Sequence, residues 1–263
     1  MSGRAVTLPY LGLAAPVALA HRGYSPAGAE NSMVAFAGAV DLGVRAVETD
    51  VRVTADGVAL AFHDDVLDRV CDQRGTVSRL PWRAVRTARI AGSEPIPRLD
   101  ELLGAWPDLR LNLDIKSGPA LKPALAAISR CGAGHRVCLG AFSDARVRRI
   151  RALCGPQVRT ALSPGEVALL RAASRLGPRL RRRGLAALRG RYAQVPVARG
   201  RLRIVDAAFL EAAAEAGVAV HVWTVNEPAT MRELLDLGVD GLVSDRSDLL
   251  RDVLVERGAW PPR

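Results

Sequence analysis

The sequence predicts a single (β/α)8, or TIM, barrel, and three observations lead there. The chain has 263 residues, close to the roughly 250 of one such barrel. Apolar strand patterns alternate with helical ones through eight units, which favours a parallel sheet closed on itself over an open one. The chemically capable side chains fall at the carboxyl ends of the strands, where a barrel gathers its reactive groups.

Taken in order, residues 17–20 (VALA) form the first buried strand. The loop HRGYSPAGAEN then feeds a helix that Asn31 or Ser32 caps and Gly43 ends. The second strand, 44–53, turns at Asp56-Gly57 and returns towards His63. Residues 66–98 carry glycines and prolines without periodicity and read as a short insertion after strand two, laid over the mouth of the barrel. A short helix at 99–105 follows Pro97. Six further strands are expected at 109–115, 136–141, 158–162, 192–195, 218–225 and 241–243. Helices are expected at 119–130, 143–152, 164–176, 206–216, 228–237 and 247–256. One domain covers the whole chain.

Strand two carries the most pointed chemistry. Alternate strand residues share a face, so Glu48 and Asp50 project together while Val47 and Val51 face away. Two adjoining carboxylates on an apolar strand are costly to bury ionised. A hard divalent cation, Mg²⁺ or Ca²⁺, resolves that conflict; a solvated strand edge is the plainer alternative. The hairpin brings His63, a proton carrier near neutral pH, back to the same end. Asp114 and Lys116 close strand three on one face, His21-Arg22 follows strand one, Trp223 lies near the end of strand seven, and Asp245 follows strand eight.

Bulk properties exclude several classes. Hydrophobic residues at 49% and charged residues at 24% describe a globular chain with a substantial core. Cys71, Cys131, Cys138 and Cys154 show neither CxxC nor zinc spacing and read as reduced thiols, compatible with a cytoplasmic location. The apolar stretch 6–20 ends like a signal-peptidase site, but Pro9 and Pro16 interrupt it, so 17–20 reads as strand. No apolar run is long enough to span a bilayer. The net charge of +10 is local: residues 171–203 hold eleven arginines and no acid, leaving the remainder at −1. Gly177-Pro178, Gly184 and Gly190 break that segment, which reads as a solvated insertion; peripheral contact with an anionic membrane is the sharper alternative. It has no interleaved aromatics, so no nucleic-acid partner is expected. Nothing in the sequence sets an oligomeric state.

The series AHRG, GAENSMVAF, VETDVRVTADGVALAFHDD, LNLDIKS, VHVWTVNE and DGLVSD resembles the glycerophosphodiester phosphodiesterases from His21 to about Leu250. The resemblance implies metal-dependent hydrolysis of a small-molecule glycerophosphodiester to sn-glycerol 3-phosphate and an alcohol. It implies His21 and His63 as the catalytic pair, and Glu48, Asp50 and Asp114 as ligands of one divalent cation. Arg22 and Lys116 match positions that neutralise the phosphate, and Trp223 matches an aromatic wall beside the alcohol. Three departures stand out. Asp114 replaces the family's usual glutamate with a shorter arm, Ala29 replaces a proline before Glu30, and the insertion is short, as in compact bacterial members. The alternatives are a lysophospholipase D activity, or an inactive barrel that serves as a basic membrane- or nucleic-acid-binding protein. Plainer readings are a Lys116–Asp114 pair, Trp223 as a core aromatic, His221 as a buried structural group, Asp245 as a helix-start residue, and Glu30 and Asn31 as organisers of the first loop.

Overall fold

A computed structural model describes residues 11–260. The first part of the apolar stretch 6–20 therefore lies outside the described residues. Eight parallel strands form the wall: β1 (Val17–His21), β2 (Ala46–Val53), β3 (Arg110–Ile115), β4 (Val137–Gly140), β5 (Arg159–Thr160), β6 (Tyr192–Pro196), β7 (Ala219–Trp223) and β8 (Gly241–Ser244). They pair in the order β5-β4-β3-β2-β1-β8-β7-β6. A parallel bridge between Ala161 and Tyr192, with Leu162 N–H donating to the Tyr192 carbonyl at 2.8 Å, draws the two ends together. Strand five is shorter than the five residues expected, because Leu162 already turns towards the next helix.

The helices are α1 (Met33–Asp41), α2 (Trp82–Val85), α3 (Leu99–Ala105), α4 (Leu121–Arg130), α5 (Asp144–Leu153), α6 (Pro164–Ala173), α7 (Pro178–Leu185), α8 (Ala207–Glu215), α9 (Pro228–Leu237) and α10 (Ser247–Glu256). Short polar side chains start several of them. Ser32, Ser143, Ser163 and Asp206 each accept a hydrogen bond from an otherwise orphaned N–H in the first turn. Val47, Val51, Leu111, Leu113 and Leu139 pack outwards on Phe36, Leu102, Leu121 and Ile150. On the other half, Val195, Val220 and Val222 meet Phe209, Met231, Leu234 and Leu250. The barrel's interior is filled by Leu19, Ala46, Cys138, Tyr192, Ala219 and Val243. With both faces of the strands apolar, the wall positions whatever side chains its carboxyl end carries.

Two segments differ from expectation. Residues 66–98 close a small core over the return strand, in which Leu67, Val77, Val85, Ile90 and Ile96 converge on Leu60 and Phe62. Their spacing follows neither helix nor strand, which is why the segment reads as irregular. The arginine-rich stretch is not broken at Gly184. α7 runs through it, starting from Pro178 at its first turn. A Cβ on Gly184 would stand 3.2 Å from the Ala173 Cβ, so the glycine lets α7 approach α6 closely.

Candidate active site

The register of β1, β2 and β3 assembles the site. His21 lies beside Glu48, and Asp50 beside Asp114 on the neighbouring strand. Two residues on, Lys116 Nζ stands 2.7 Å from Asp50 Oδ1 and 2.7 Å from Asp114 Oδ2. The loop after β1 is held in an unusual shape: Arg22 and Asn31 take φ of 58° and 59°. Gly23 sits so close to α1 that a Cβ would lie 2.6 Å from the Ala35 backbone. That folding aims Arg22 inwards, with Nε 3.3 Å from Asp50 Oδ2 and Nη1 donating to Glu30 Oε1 at 2.9 Å. Asn31 Nδ2 donates to Asp50 Oδ2 at 3.2 Å and its Oδ1 accepts from Thr49 at 2.6 Å.

Each expected catalytic histidine is held at Nδ1 by an aspartate. His21 Nδ1 is 2.6 Å from Asp245 Oδ1, and its Nε2 faces Glu48 Oε2 at 3.7 Å. His63 Nδ1 is 2.5 Å from Asp64 Oδ1. Asn226 Nδ2 donates to Asp245 at 2.8 Å. Arg69 donates from Nε to Asp64 Oδ2 and from Nη2 to Glu30 Oε1, both at 2.6 Å. An alternating chain Arg22–Glu30–Arg69–Asp64–His63 thus ties the first loop to the insertion.

The electrostatics divide the acids. Burial, then Asp50 and Asp114, push the Glu48 carboxyl well above its usual range. Burial also raises Asp114, against the pull of Lys116. Burial acts on Asp50 too, but Lys116 and Arg22 outweigh it and hold that carboxylate below its ordinary value. Asp64, where Arg69 and His63 overcome burial, is held down at about 2. His21 and Asn226 together keep Asp245 low.

A family model described as the glycerophosphoryl diester phosphodiesterase family matches residues 21–249. The chain belongs to that family. The protein named probable glycerophosphodiester phosphodiesterase 2 of Mycobacterium tuberculosis is 41% identical, with 98% of each chain covered. A crystal structure of glycerophosphodiester phosphodiesterase from Agrobacterium tumefaciens has a TM-score of 0.73 at 23% identity, covering 91% of this chain and 99% of that one. A phosphodiesterase from Oleispira antarctica, in complex with the product sn-glycerol-3-phosphate, has a TM-score of 0.74 at 21% identity and coverages of 92% and 97%. At those identities the two structures establish the shared barrel.

Within this family member, Glu48, Asp50, Asp114, Arg22, Lys116 and His21 form one cluster, and His63 stands on the adjoining loop. Among the described residues, no three histidine, cysteine or acidic side chains converge in metal-ligating geometry; the Lys116 ammonium bridges two of the three carboxylates instead. Glu48 Oε2 and Asp114 Oδ1 are nevertheless buried without a hydrogen-bond partner. Two orphaned hard oxygens beside a third carboxylate fit a divalent cation.

Trp223 reaches the mouth from β7 and meets Phe142, which follows β4, edge to face at 5.7 Å between centroids. Phe142 is 67% exposed and lies 5.7 Å below Lys116 Nζ. Sequence reasoning missed Asp64, Arg69, Phe142 and Asn226. Asp64 could have been found as the neighbour of a reactive histidine, and Phe142 as a large apolar residue directly after a strand end. Arg69 and Asn226 gave no such signal.

Proposed function

We propose that the chain hydrolyses glycerophosphodiesters to sn-glycerol 3-phosphate and an alcohol, with His21 and His63 moving the protons. The observation that carries this reading is the pair of aspartate-held histidines at the barrel end that also bears three carboxylates, an arginine and a lysine. An aspartate on Nδ1 leaves Nε2 as the working nitrogen of each ring. His21, beside Glu48, acts as base towards the attacking oxygen. His63 donates the proton that the departing alkoxide needs. Arg22 and Lys116 neutralise the non-bridging phosphoryl oxygens, Lys116 turning from the carboxylates to do so. Trp223 supplies an apolar wall beside the alcohol.

Glu48, Asp50 and Asp114 would hold one divalent cation, Mg²⁺ or Ca²⁺, with the two orphaned oxygens supporting the assignment. Bound there, a cation supplies further charge neutralisation on the phosphoryl group. The location is proposed to be cytoplasmic; among the described residues no helix is long and apolar enough to cross a membrane.

The test is turnover of glycerophosphocholine, glycerophosphoethanolamine, glycerophosphoinositol and lysophosphatidylcholine, with added divalent cation or with chelator. Glycerophosphodiesters are expected to turn over, reversibly lost on chelation. Glu48→Gln and His63→Ala are each expected to lose at least about 100-fold in kcat. Full turnover by either variant, or in metal-free buffer, rejects the mechanism. Exclusive cleavage of the lysolipid rejects the substrate class.

A further inference from the structure

Part of the chain's excess positive charge serves neither the site nor the fold. Within residues 171–203, Arg171, Arg175 and Arg181 close on Asp206, Glu211 or Glu215 and tie α6 and α7 to α8, while Arg203 closes on Glu233 of α9. Arg179, Arg182, Arg183, Arg199 and Arg201 are exposed and, among the described residues, have no acidic partner. Elsewhere on the surface, Arg232, Arg246 and Arg257 each meet a carboxylate within 2.8 Å.

These free arginines share one surface. Arg179, Arg182 and Arg183 are three and four residues apart and lie on the same side of α7, which buries Leu185 at the flank of that side. Arg199 and Arg201 belong to a hairpin in which Ala198–Arg199 pairs with Leu202–Arg203. That hairpin rests on the end of α6, from which α7 departs, because Arg171 Nη2 donates to the Arg203 carbonyl at 3.2 Å. Exposed leucines are set among the arginines: Leu176 is 44% exposed, Leu180 59% and Leu202 54%.

We propose that this surface docks the enzyme on an anionic phospholipid membrane. Charge complementarity selects the anion, and the leucines select lipid over nucleic acid. At a bilayer surface, leucine side chains enter the boundary between headgroups and acyl chains while the guanidinium groups stay with the phosphates. Along a nucleic-acid backbone the same leucines gain nothing, and the segment exposes no aromatic ring on which a base could stack. The hairpin follows β6 directly at its carboxyl end, the end of the barrel that carries His21 and Glu48. Docked through it, the protein holds its mouth at the lipid side.

Vesicle cosedimentation tests this without reference to the reaction. At low salt the full chain is expected to sediment with phosphatidylglycerol–phosphatidylcholine vesicles and not with phosphatidylcholine alone, and salt should release it. Replacing Arg179, Arg182 and Arg183 together by Ser should weaken the partition on the order of 100-fold, with melting temperature and turnover of a soluble diester unchanged. Leu180→Ser with Leu202→Ser, which keeps every charge, should also weaken vesicle binding. Equal binding to both vesicle types, or full binding by the triple variant, overturns the proposal. So does tighter binding to duplex DNA at the same salt that the leucine changes leave intact.

Discussion

Asp245 and His21 are 224 residues apart in the chain and 2.6 Å apart in space. Every barrel closure brings the end of strand eight to the end of strand one, so the two were destined to be neighbours; their contact still has no local signature. By contrast, Glu48 and Asp50 were legible at once, because alternation along a strand places them on one face whatever surrounds them. Asp114 was singled out by its place at the end of strand three, its role as a ligand only through the family resemblance, and its position directly beside Asp50 comes from the β2–β3 register. The role of Asp245 can be measured. Asp245→Asn keeps the side chain's volume and its place beside Asn226 but removes the charge that supports a protonated His21. We expect kcat to fall by about 10²- to 10⁴-fold with KM little changed. An unchanged kcat shows that His21 works without the aspartate.

At the scale of elements, packing overrode local pattern. Gly184 lies inside α7, one residue before the helix ends at Leu185, and the absence of a Cβ there allows contact with α6. Arg136 gave no sequence signal. It is buried, and its guanidinium donates to the carbonyls of Leu103, Trp106 and Leu109, capping the chain where α3 ends. Arg136→Leu strands those carbonyls and should cost about 3 kcal/mol, read as a lower denaturant midpoint at unchanged slope. His221, expected from the sequence to be structural, is fully buried within β7 and stacks on Tyr192 at 5.6 Å. Burial drives its imidazole down from 6.5 to about 3. The folded ring therefore stays neutral while the unfolded one takes up a proton below pH 6.5. The resulting stability is complete above that pH and is lost progressively as pH falls towards 3. Between pH 6.5 and 5 the loss approaches about 2 kcal/mol. Thermal melts of His221→Leu should show a smaller drop over that interval than those of the parent chain; an equal drop assigns the acid sensitivity to other groups.

At the scale of the whole molecule, the barrel collects like charges that the chain keeps apart. Glu48, Asp50 and Asp114 come from two strands and meet in a buried corner, where Lys116 and Arg22 offset part of the repulsion. A ligand that binds only the folded state raises its stability by mass action. Adding Mg²⁺ or Ca²⁺ to chelator-treated protein is therefore expected to raise the melting temperature, and Asp114→Asn to abolish most of the rise. A rise that persists undiminished in Asp114→Asn places the cation elsewhere.

The barrel class and the order of its units were determined by the sequence alone, which also named the side chains proposed to react. These follow from periodicity and from motif residues, which are local properties of the chain. Tertiary structure decided which aspartate holds each histidine, that Arg69 links the insertion to the first loop, and that Phe142 meets Trp223. It also decided that Lys116 stands between two carboxylates and that Arg179, Arg182 and Arg183 of α7 are exposed with no acidic partner among the described residues, whereas Arg181 turns in to Glu211 and Glu215. Each depends on strand register, barrel closure or helix rotation. Those are set by contacts between residues far apart in the chain, which a local pattern does not encode.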